Sequence, residues 1–258
     1  MKITTWNVNG IRANLKKGMR EWVAGHAPDI YCLQEIKAKP EQIEPELREL
    51  PGYASYWNPA ERPGYSGVLT YSRVEPQAVR LGLGVDEFDN EGRVVRLDFG
   101  EWMLWNIYFP NGQRGQGRVD YKLAFYAELL RQCDVLHAEG KKLVITGDFN
   151  TAHREIDLAN PRQNATTSGF LPEERAWVDQ FLQHGFVDAF RALYPEWVQY
   201  TWWTYISGAR RRNVGWRLDY FLVSDAVMPA VRDVVIHDDV LGSDHCPVTL
   251  DLDWDALQ

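Results

Sequence analysis

One apolar run in the middle of the chain, KLVITGDFN at residues 142–150, ends at a glycine that is followed by an acid and an amide. The run has the length and composition of a buried strand. Alternate side chains of a strand share a face, so Asp148 and Asn150 point the same way if the backbone stays extended beyond Gly147. An acid after a glycine is also an ordinary turn signal. The strand interpretation gains weight because the pattern recurs elsewhere in the chain.

The composition is that of a folded globular protein. Of the 258 residues, 45% are hydrophobic and 25% are charged. The three cysteines, Cys32, Cys133 and Cys246, lie in or beside apolar runs without CxxC spacing, which argues against a disulfide framework and against a zinc site. No apolar run approaches the roughly 20 residues that span a bilayer, and the N-terminus has no signal-peptide pattern. We therefore expect a cytoplasmic protein without membrane contact.

The charge of the chain is acidic overall but unevenly distributed. The net charge of -8 argues against a nucleic-acid partner, because phosphate binding rewards positive charge. Bases nevertheless cluster at residues 208–213, with Arg217 beyond them, and around Arg114, Arg118 and Lys122. A basic face on an acidic body is therefore compatible with the sequence, although most basic runs are only solvated surface.

The order of the predicted elements indicates a layered α/β architecture. Apolar periodicity and breaker residues separate strands from helices, and a long polar loop over residues 150–169 is typical of a functional loop. No linker or repeat interrupts the pattern, which favours one domain over residues 1–258. Helices are predicted near residues 11–23, 39–50, 117–139 and 172–184, and strands at 2–8, 29–34, within 53–110, and at 142–150, 200–205, 214–223, 231–237 and 248–252.

Polar residues recur where the predicted strands end. In layered sheets these ends converge on a common rim, where ligand sites usually lie. Carboxylates and amides with one histidine and no cysteine form an oxygen-rich set, which suits Mg²⁺ or Mn²⁺ rather than zinc. The strand-end residues are Asn7, Glu35, Tyr108, Asn111, Asp148, Asn150, Asp219, Asp244 and His245.

Asp219 is predicted to be at least partly buried, because it shares a strand face with Phe221 and Val223. A buried carboxylate needs a partner. His245 is the candidate, since an aspartate that holds a histidine in one tautomer is a recurring catalytic device. A buried structural ion pair is the alternative. The Ser-Asp-His-Cys-Pro context around His245 favours a functional site.

Seven motifs resemble, in order and spacing, the exonuclease III family of abasic-site endonucleases, within the endonuclease/exonuclease/phosphatase superfamily. The resemblance covers essentially the entire chain. Gly-Asp-x-Asn and Ser-Asp-His alone also occur in related phosphatases, sphingomyelinases and DNase I-like enzymes, so the specificity lies in the whole set. The motifs are TWNVNG at 5–10, LQE at 33–35, YSGV at 65–68, YFPN at 108–111, GDFN at 147–150, WRLDY at 216–220 and SDH at 243–245.

The resemblance implies a DNase I-like fold, a four-layered αββα sandwich in which two mixed β-sheets pack face to face. It implies Mg²⁺-dependent hydrolysis of the DNA phosphodiester 5′ to an abasic site, leaving a 3′-hydroxyl, in base-excision repair. Exonuclease activity from the 3′ end and 3′-phosphodiesterase activity are expected beside it. Mn²⁺ is expected to substitute for Mg²⁺. The implied partner is double-stranded DNA with abasic sites, and the expected state is a monomer.

Residue roles follow from the same motifs. Glu35 would hold the metal with Asn7 nearby, and Asp244 would assist metal binding or the leaving group. Asp148 would orient or deprotonate the attacking water. Asn150 would help to place that water or the phosphate.

Contacts to the phosphate are implied for a second group of residues. Asp219 would position His245, which would contact a phosphate oxygen. Tyr108 and Asn111 would contact the phosphate as well, and Asn164, in the long loop, matches a family asparagine at the same place. In-line attack builds negative charge on the phosphoryl oxygens, so donors at these positions stabilise it where it develops.

Contacts to the rest of the DNA are implied for loop residues. Arg114 matches an arginine that enters a DNA groove beside the lesion. Trp202, Trp216 and Leu218 match an apolar pocket for the extruded sugar, with ordinary core packing as the alternative for each tryptophan. The chain departs from some members at Asn9, where they have aspartate, and this leaves the number of metal ions open.

Two other functions are weighed against this one. A phosphatase or phosphodiesterase acting on a small or lipid phosphate would not require the aromatic and basic segment at residues 200–217. A catalytically idle protein that binds damaged DNA is disfavoured, because retaining every acid of a metal site costs stability without benefit.

Overall fold

Two six-stranded β-sheets pack face to face in the computed structural model of the chain, which describes residues 1–253 and 255. The strands are β1 (Lys2–Asn7), β2 (Ile30–Gln34), β3 (Ala54–Asn58), β4 (Val68–Ser72), β5 (Ala78–Leu81), β6 (Val94–Asp98), β7 (Trp102–Tyr108), β8 (Lys142–Asp148), β9 (Phe186–Asp188), β10 (Asp219–Ser224), β11 (Val231–Ile236) and β12 (Val248–Leu252). The helices are α1 (Ile11–Leu15), α2 (Met19–His26), α3 (Pro45–Arg48), α4 (Asp86–Asp89), α5 (Gln116–Ala138), α6 (Pro172–Gln183) and α7 (Ala189–Leu193).

Both sheets are mixed. The strand order is β11-β12-β1-β2-β4-β3 in the first sheet and β5-β6-β7-β8-β10-β9 in the second. Each contains one parallel pair, β1 with β2 and β7 with β8, and the other pairs are antiparallel. Because a parallel pair needs a crossover, helices must pass over the outer face of each sheet.

Successive side chains of each strand point to opposite faces of its sheet. The apolar side chains therefore form three core layers, one between the sheets and one on the outer face of each sheet. In β2, Cys32 points into the core between the sheets, whereas Tyr31 and Leu33 point outward and pack with α1 and α2. The outer face of the second sheet packs against α5 and α6 through residues such as Phe125 and Phe181. The predicted four-layered αββα sandwich is confirmed.

Two predicted helices are shorter than the sequence pattern suggested. The helix predicted through Val23 breaks into α1 and α2 at Gly18, whose φ of 93° lies in the left-handed region. The helix predicted over residues 39–50 contains only a 3₁₀ turn, Pro40–Gln42, and the single turn of α3. Pro45 has no N–H to donate to the preceding turn, so it begins a new helix instead of continuing one.

The strand predicted at residues 200–205 was wrong, and the one predicted at 214–223 begins only at Asp219. Trp202 makes isolated bridges to Trp216 and His245 and belongs to no sheet. Aromatic residues have a high β-propensity, and they occur both in strands and in isolated bridges such as this one. The propensity along the chain therefore does not distinguish the two. Among the described residues, no helix has the length and apolar character needed to cross a bilayer.

A buried network of ion pairs holds the segment before β10 against α7. The Arg217 side chain is 1% exposed and contacts Asp157 at 2.8 Å and Asp188 at 2.7 Å, while Arg191 contacts Asp157 at 2.6 Å. Burial opposes ionisation of Asp157, but Arg217 and Arg191 outweigh it and hold the pKa of this carboxyl well below its usual value.

We predict that Asp157→Asn lowers the free energy of unfolding by about 3 kcal/mol at neutral pH, because it leaves buried guanidinium groups short of a counter-charge. Urea denaturation measures the effect. Exposed Asp86, at the start of α4, provides the control Asp86→Asn, which should change stability by less than about 0.5 kcal/mol.

The lowered pKa of Asp157 also predicts how its contribution to folding stability depends on pH. Because the folded-state pKa of Asp157 is lowered, its contribution is present above the unfolded pKa of about 4 and is lost as the pH falls further. The stability difference between the wild type and Asp157→Asn should therefore shrink below about pH 4. A difference that stays constant down to the acid unfolding limit contradicts this account.

Candidate active site

Strand ends from both sheets meet at one open cavity of about 560 Å³. Most of the residues singled out in the sequence line it, although they come from segments spread over the whole chain. The predicted residues in the cavity wall are Glu35, Tyr108, Asn111, Asp148, Asn150, Asn164, Trp202, Trp216, Leu218, Asp244 and His245.

Three predicted residues lie outside the wall. Asn7 and Asp219 are 0% and 2% exposed and lie directly behind it, in contact with wall residues. Arg114 is exposed on the loop between Asn111 and α5. The structure therefore brings all the predicted polar site residues together except Arg114.

The end of β8 has a shape that only glycine permits at residue 147. A Cβ on Gly147 would lie 1.8 Å from the carbonyl oxygen of Ile107, and the φ of Gly147 is 135°. The strand ends at Asp148, and Asn150 takes a left-handed φ of 51°. The condition under which Asp148 and Asn150 would share a strand face, an extended backbone beyond Gly147, is therefore not met at Asn150. Asp148 and Asn150 both reach the cavity because the chain turns there.

The amide of Asn7 joins two carboxylates that come from different sheets. Its Nδ2 donates to Asp148 Oδ2 at 2.8 Å and to Glu35 Oε2 at 3.1 Å. Its Oδ1 accepts from the backbone N–H of Asn9 at 2.9 Å, which fixes the orientation of the amide. Asn7 thereby sets the spacing between Glu35 and Asp148.

Asp148 is the most enclosed acid of the cavity. The side chain is 2% exposed, and its Oδ1 accepts the backbone N–H of Asn150 at 2.8 Å. Burial is the largest influence and raises the pKa of Asp148, whereas His245 opposes the shift. This carboxylate is therefore a better proton acceptor than an exposed one.

Asp219 and His245 form the predicted pair. Asp219 lies at the start of β10 in register with Asp148, and its Oδ2 is 2.8 Å from Nδ1 of His245. The other ring nitrogen, Nε2, lies 3.7 Å from Asp148 Oδ2. Burial disfavours the imidazolium, but Asp219 and then Asp148 outweigh it and raise the pKa of His245. The histidine is thus held protonated between two carboxylates.

Asp244, the chain neighbour of His245, also lines the cavity. Its Oδ1 accepts from Asn9 Nδ2 at 3.0 Å, and its Oδ2 accepts from Trp202 Nε1 at 3.1 Å. Burial alone would raise the pKa of Asp244, but His245, Asn9 and Trp202 favour the charged form and lower it. Asp244 is therefore a carboxylate over the physiological range.

The acids and the histidine are close enough to hold a metal ion. One ligand atom each from Asp148, Asp219 and His245 lies within 4.8 Å of the others. These three side chains are buried, and Asp219 Oδ2 and His245 Nδ1 are already joined by a hydrogen bond. Glu35 is more accessible, since its side chain is 19% exposed. Its position favours Glu35 over the buried pair as the site of a hard cation.

Lys37 is a cavity residue that the sequence analysis missed. Its Nζ is 2.8 Å from Glu35 Oε1 and 2.5 Å from Asn9 Oδ1. Lys37 follows Glu35 by only two residues, and this short separation in the sequence could have indicated that it lies near the site. Lys37 provides positive charge beside Glu35 in this structure.

Arg93 is a second missed residue, and it supports Tyr108 from behind. It is 2% exposed, donates to the Tyr108 carbonyl at 2.8 Å and places its guanidinium 4.8 Å from the Tyr108 ring centroid. Glu91 compensates its charge at 2.6 Å. Burial, and secondly Glu35, raise the pKa of Tyr108, so the phenol stays protonated and can donate a hydrogen bond.

An apolar wall closes one side of the cavity. Trp202 and Trp216 meet edge to face with ring centroids 6.3 Å apart, and Leu218 belongs to the small apolar cluster behind them. Both tryptophans are half-buried. Each can therefore pack against the protein and line the cavity at the same time. Asn164 lines the same cavity, and its Nδ2 donates to the carbonyl of Asn160 at 3.0 Å.

The basic run after residue 208 is not a uniform charged surface. Arg217 is buried in the ion-pair network, and Arg210 stacks 4.6 Å from the Trp203 ring and donates to the carbonyl of Val240 at 2.6 Å. Of the arginines in this run, Arg211 and Arg212 are exposed. Arg210 and Arg217 therefore hold parts of the fold together. The basic face expected from the sequence is smaller than the number of arginines suggested.

The fold and this cavity together define a class of protein. A model of the Endonuclease/Exonuclease/phosphatase family matches residues 4–245. The chain belongs to this family, and the resemblance to exonuclease III-type nucleases is confirmed by its relatives.

Two curated relatives are nucleases by name. The chain is 44% identical to an exodeoxyribonuclease of Bacillus subtilis, over 97% of this chain and 98% of that protein. It is 46% identical to the DNA repair nuclease APEX1 of Danio rerio, over 97% of this chain and 81% of that protein. The solved structure of a 3′ phosphatase from Neisseria, bound to a product DNA hairpin, matches with a TM-score of 0.90 at 32% identity and covers 98% of this chain and 100% of that one.

We predict that Asp219→Asn lowers the pKa of His245 by about one to three units, because the neutral amide no longer stabilises the imidazolium. Titration of the ring ¹⁵N resonances measures the change. The surface variant Asp134→Asn on α5 is the control and should leave the His245 titration where it is in the wild type. A folded Asp219→Asn protein with an unmoved His245 pKa would show that Asp219 does not set its protonation.

Proposed function

We propose that the protein is a Mg²⁺-dependent endonuclease that cleaves DNA on the 5′ side of abasic sites, as a monomer acting on duplex DNA. The proposal rests on one observation, which is that a cluster of acids with a histidine and an apolar wall lie in the same cavity. The Asp148–His245–Asp219 cluster supplies groups for phosphodiester hydrolysis, and the Trp202–Trp216 wall adjoins it directly.

In this proposal Asp148 acts on the attacking water. Burial raises its pKa, and Asn7 and the Asn150 N–H hold both carboxylate oxygens in fixed directions. A carboxylate of raised pKa accepts a proton more readily than an exposed one. We therefore favour proton acceptance by Asp148 over orientation of the water alone. Asn150 places the water or the phosphate.

Stabilisation of the phosphoryl charge falls to donors on the other sides of the cavity. His245, protonated by its position between Asp219 and Asp148, offers Nε2–H to a phosphate oxygen. Tyr108 offers its phenol proton, which burial keeps on the oxygen, and Asn111 offers an amide. Donors fixed in advance at the positions where charge develops lower the barrier without reorganisation.

Glu35 is the proposed metal ligand, with Asn7 and Asp244 supporting it. The donor set consists of carboxylate and amide oxygens, which fits Mg²⁺ and also Mn²⁺. The ion would supply Lewis-acid stabilisation of the phosphate and leaving oxygen. Lys37 lies 2.8 Å from Glu35 and provides a positive counter-charge beside it.

The apolar wall supports an abasic nucleotide as the substrate. A sugar without a base is inexpensive to extrude from the duplex and exposes mainly apolar surface to a pocket such as that of Trp202, Trp216 and Leu218. Arg114 and the exposed Arg211 and Arg212 are available for the phosphate backbone. Local positive charge of this kind allows DNA binding despite the acidic net charge.

Removal of groups from DNA 3′ ends is a second activity of the same cavity in this proposal. The match to the Neisseria 3′ phosphatase, whose structure contains a DNA hairpin, favours it specifically. In each reaction water attacks phosphorus and the sugar 3′-oxygen leaves; the phosphate is a diester within the strand and a monoester at a 3′-phosphate end. We place this activity, together with 3′–5′ exonuclease activity, beside abasic-site cleavage.

One assay tests the proposal. Duplex oligonucleotides that carry a tetrahydrofuran abasic analogue, or a 3′-phosphate end, are incubated with the protein in Mg²⁺ and again in EDTA, alongside a small phosphate ester. We expect Mg²⁺-dependent cleavage 5′ to the analogue. Intact duplex at high enzyme concentration contradicts the proposal, and turnover of the small ester alone selects a phosphatase.

Asp148→Asn should reduce cleavage by at least about 1,000-fold and leave DNA binding within about threefold of wild type, because the amide keeps the shape but accepts no proton. Single-turnover cleavage and fluorescence anisotropy measure the two effects. Asp134→Asn is again the control, with both quantities expected at wild-type values. Loss of binding instead would assign Asp148 to structure.

A further inference from the structure

A fully buried ion pair lies beneath the cavity and has no part in the chemistry proposed above. Lys122, on α5, and Glu174, in the first turn of α6, both have side chains with 0% exposure, and their charged atoms are 2.8 Å apart. Taking two charges out of water costs several kcal/mol, so such a pair is weak evidence for stability by itself. Its other contacts show what the pair does.

Lys122 holds the turn that follows Asp148. Its Nζ donates to the carbonyl oxygen of Asn150 at 2.7 Å. Asn150 takes a left-handed φ of 51°, and one hydrogen of its side-chain Nδ2 is donated to the Phe109 carbonyl at 2.8 Å. The lysine therefore helps to keep the residue in the conformation in which its N–H reaches Asp148 Oδ1.

Glu174 holds the neighbouring part of the cavity wall. Its carboxylate accepts from Ser168 Oγ at 2.9 Å and from the backbone N–H groups of Gly169 and Leu171. Ser168 in turn accepts the N–H of Gly112 at 3.1 Å. Ser168 and Gly169 line the cavity, and Gly112 follows Asn111 in the chain.

The pair thus joins three separate segments of the wall: the turn after β8, the wall at residues 168–169 and the loop that carries Asn111. We propose that Lys122 and Glu174 are positioning residues, which fix Asn150 and this wall relative to Asp148 and so set the turnover rate. The inference rests on the proposed function, because it concerns cleavage at the same cavity.

The first test replaces both charges at once. Lys122→Met/Glu174→Gln removes the donor to Asn150, leaves no unpaired buried charge, and keeps an amide oxygen for the N–H groups of Gly169 and Leu171. We expect kcat on the abasic duplex to fall about 10- to 100-fold, with KM within about threefold, since small displacements of positioning groups have effects of this size. The thermal midpoint should stay within a few degrees of the wild type.

A second variant keeps the charges and changes only their reach. Glu174→Asp retains the ion pair but shortens the side chain by one methylene, so the wall at residues 168–169 must shift if the segments stay connected. We expect a smaller fall in kcat than in the double variant. The backbone ¹H–¹⁵N resonances of Asn150 and Gly169 should move in both variants, which a uniform loss of stability would not produce.

The matched control lies on the exposed face of the same helix. Glu128 and Arg131 form an ion pair on α5, at 2.7 Å, and neither residue lines the cavity. Glu128→Gln/Arg131→Met should leave kcat, KM and the two resonances unchanged. A similar loss in this control would attribute the effect to α5 in general and overturn the proposal.

The outcomes separate the two proposals. A wild-type protein that does not cut the abasic duplex overturns the proposed function. A wild type that cuts, together with folded variants of undiminished kcat, overturns the positioning role alone. If the double variant does not fold and Glu174→Asp folds with wild-type kcat, the pair is structural and the positioning role is overturned as well.

Discussion

The amide of Asn7 is the contact on which the rest of the site depends, because it joins carboxylates from opposite sheets. Glu35 follows β2 of the first sheet, and Asp148 ends β8 of the second. Their spacing is therefore set by how the sheets pack, and this packing is fixed by the shared core, in which residues such as Cys32 and Val144 interdigitate. The geometry of the cavity therefore depends on the packing of both sheets.

The electrostatics of the site follow from the same arrangement. Asp148 is buried beside Asp219, and burial together with the charge of Asp219 opposes the ionisation of Asp148. His245 compensates both carboxylates directly, while hydrogen bonds from Asn7 and the Asn150 N–H stabilise the charge of Asp148 and one from Asn9 stabilises that of Asp244. Such a concentration of buried charge is costly for folding, and it is understandable only as a requirement of the chemistry.

The sequence predicted the layers and the rim because both depend on local patterns. Strand parity placed Asp219 correctly, and polar residues at strand ends did converge. The left-handed turn at Asn150 was missed, because the close approach of Gly147 to Ile107 is a contact between strands. Lys122 and Glu174 were missed for a similar reason. A charged residue on a helix is normally solvated, and only the position of distant segments shows that these two are buried.

The central claim is that these strand ends form one centre for metal-assisted cleavage of DNA. A crystal structure with Mn²⁺ and a duplex carrying an uncleavable abasic analogue tests it most directly. The account predicts anomalous density beside Glu35, the phosphorus 5′ to the lesion between Asp148 and His245, and the extruded sugar against Trp202 and Trp216. A metal bound away from Glu35, or DNA held only along Arg211 and Arg212 with its phosphates outside the cavity, would contradict it.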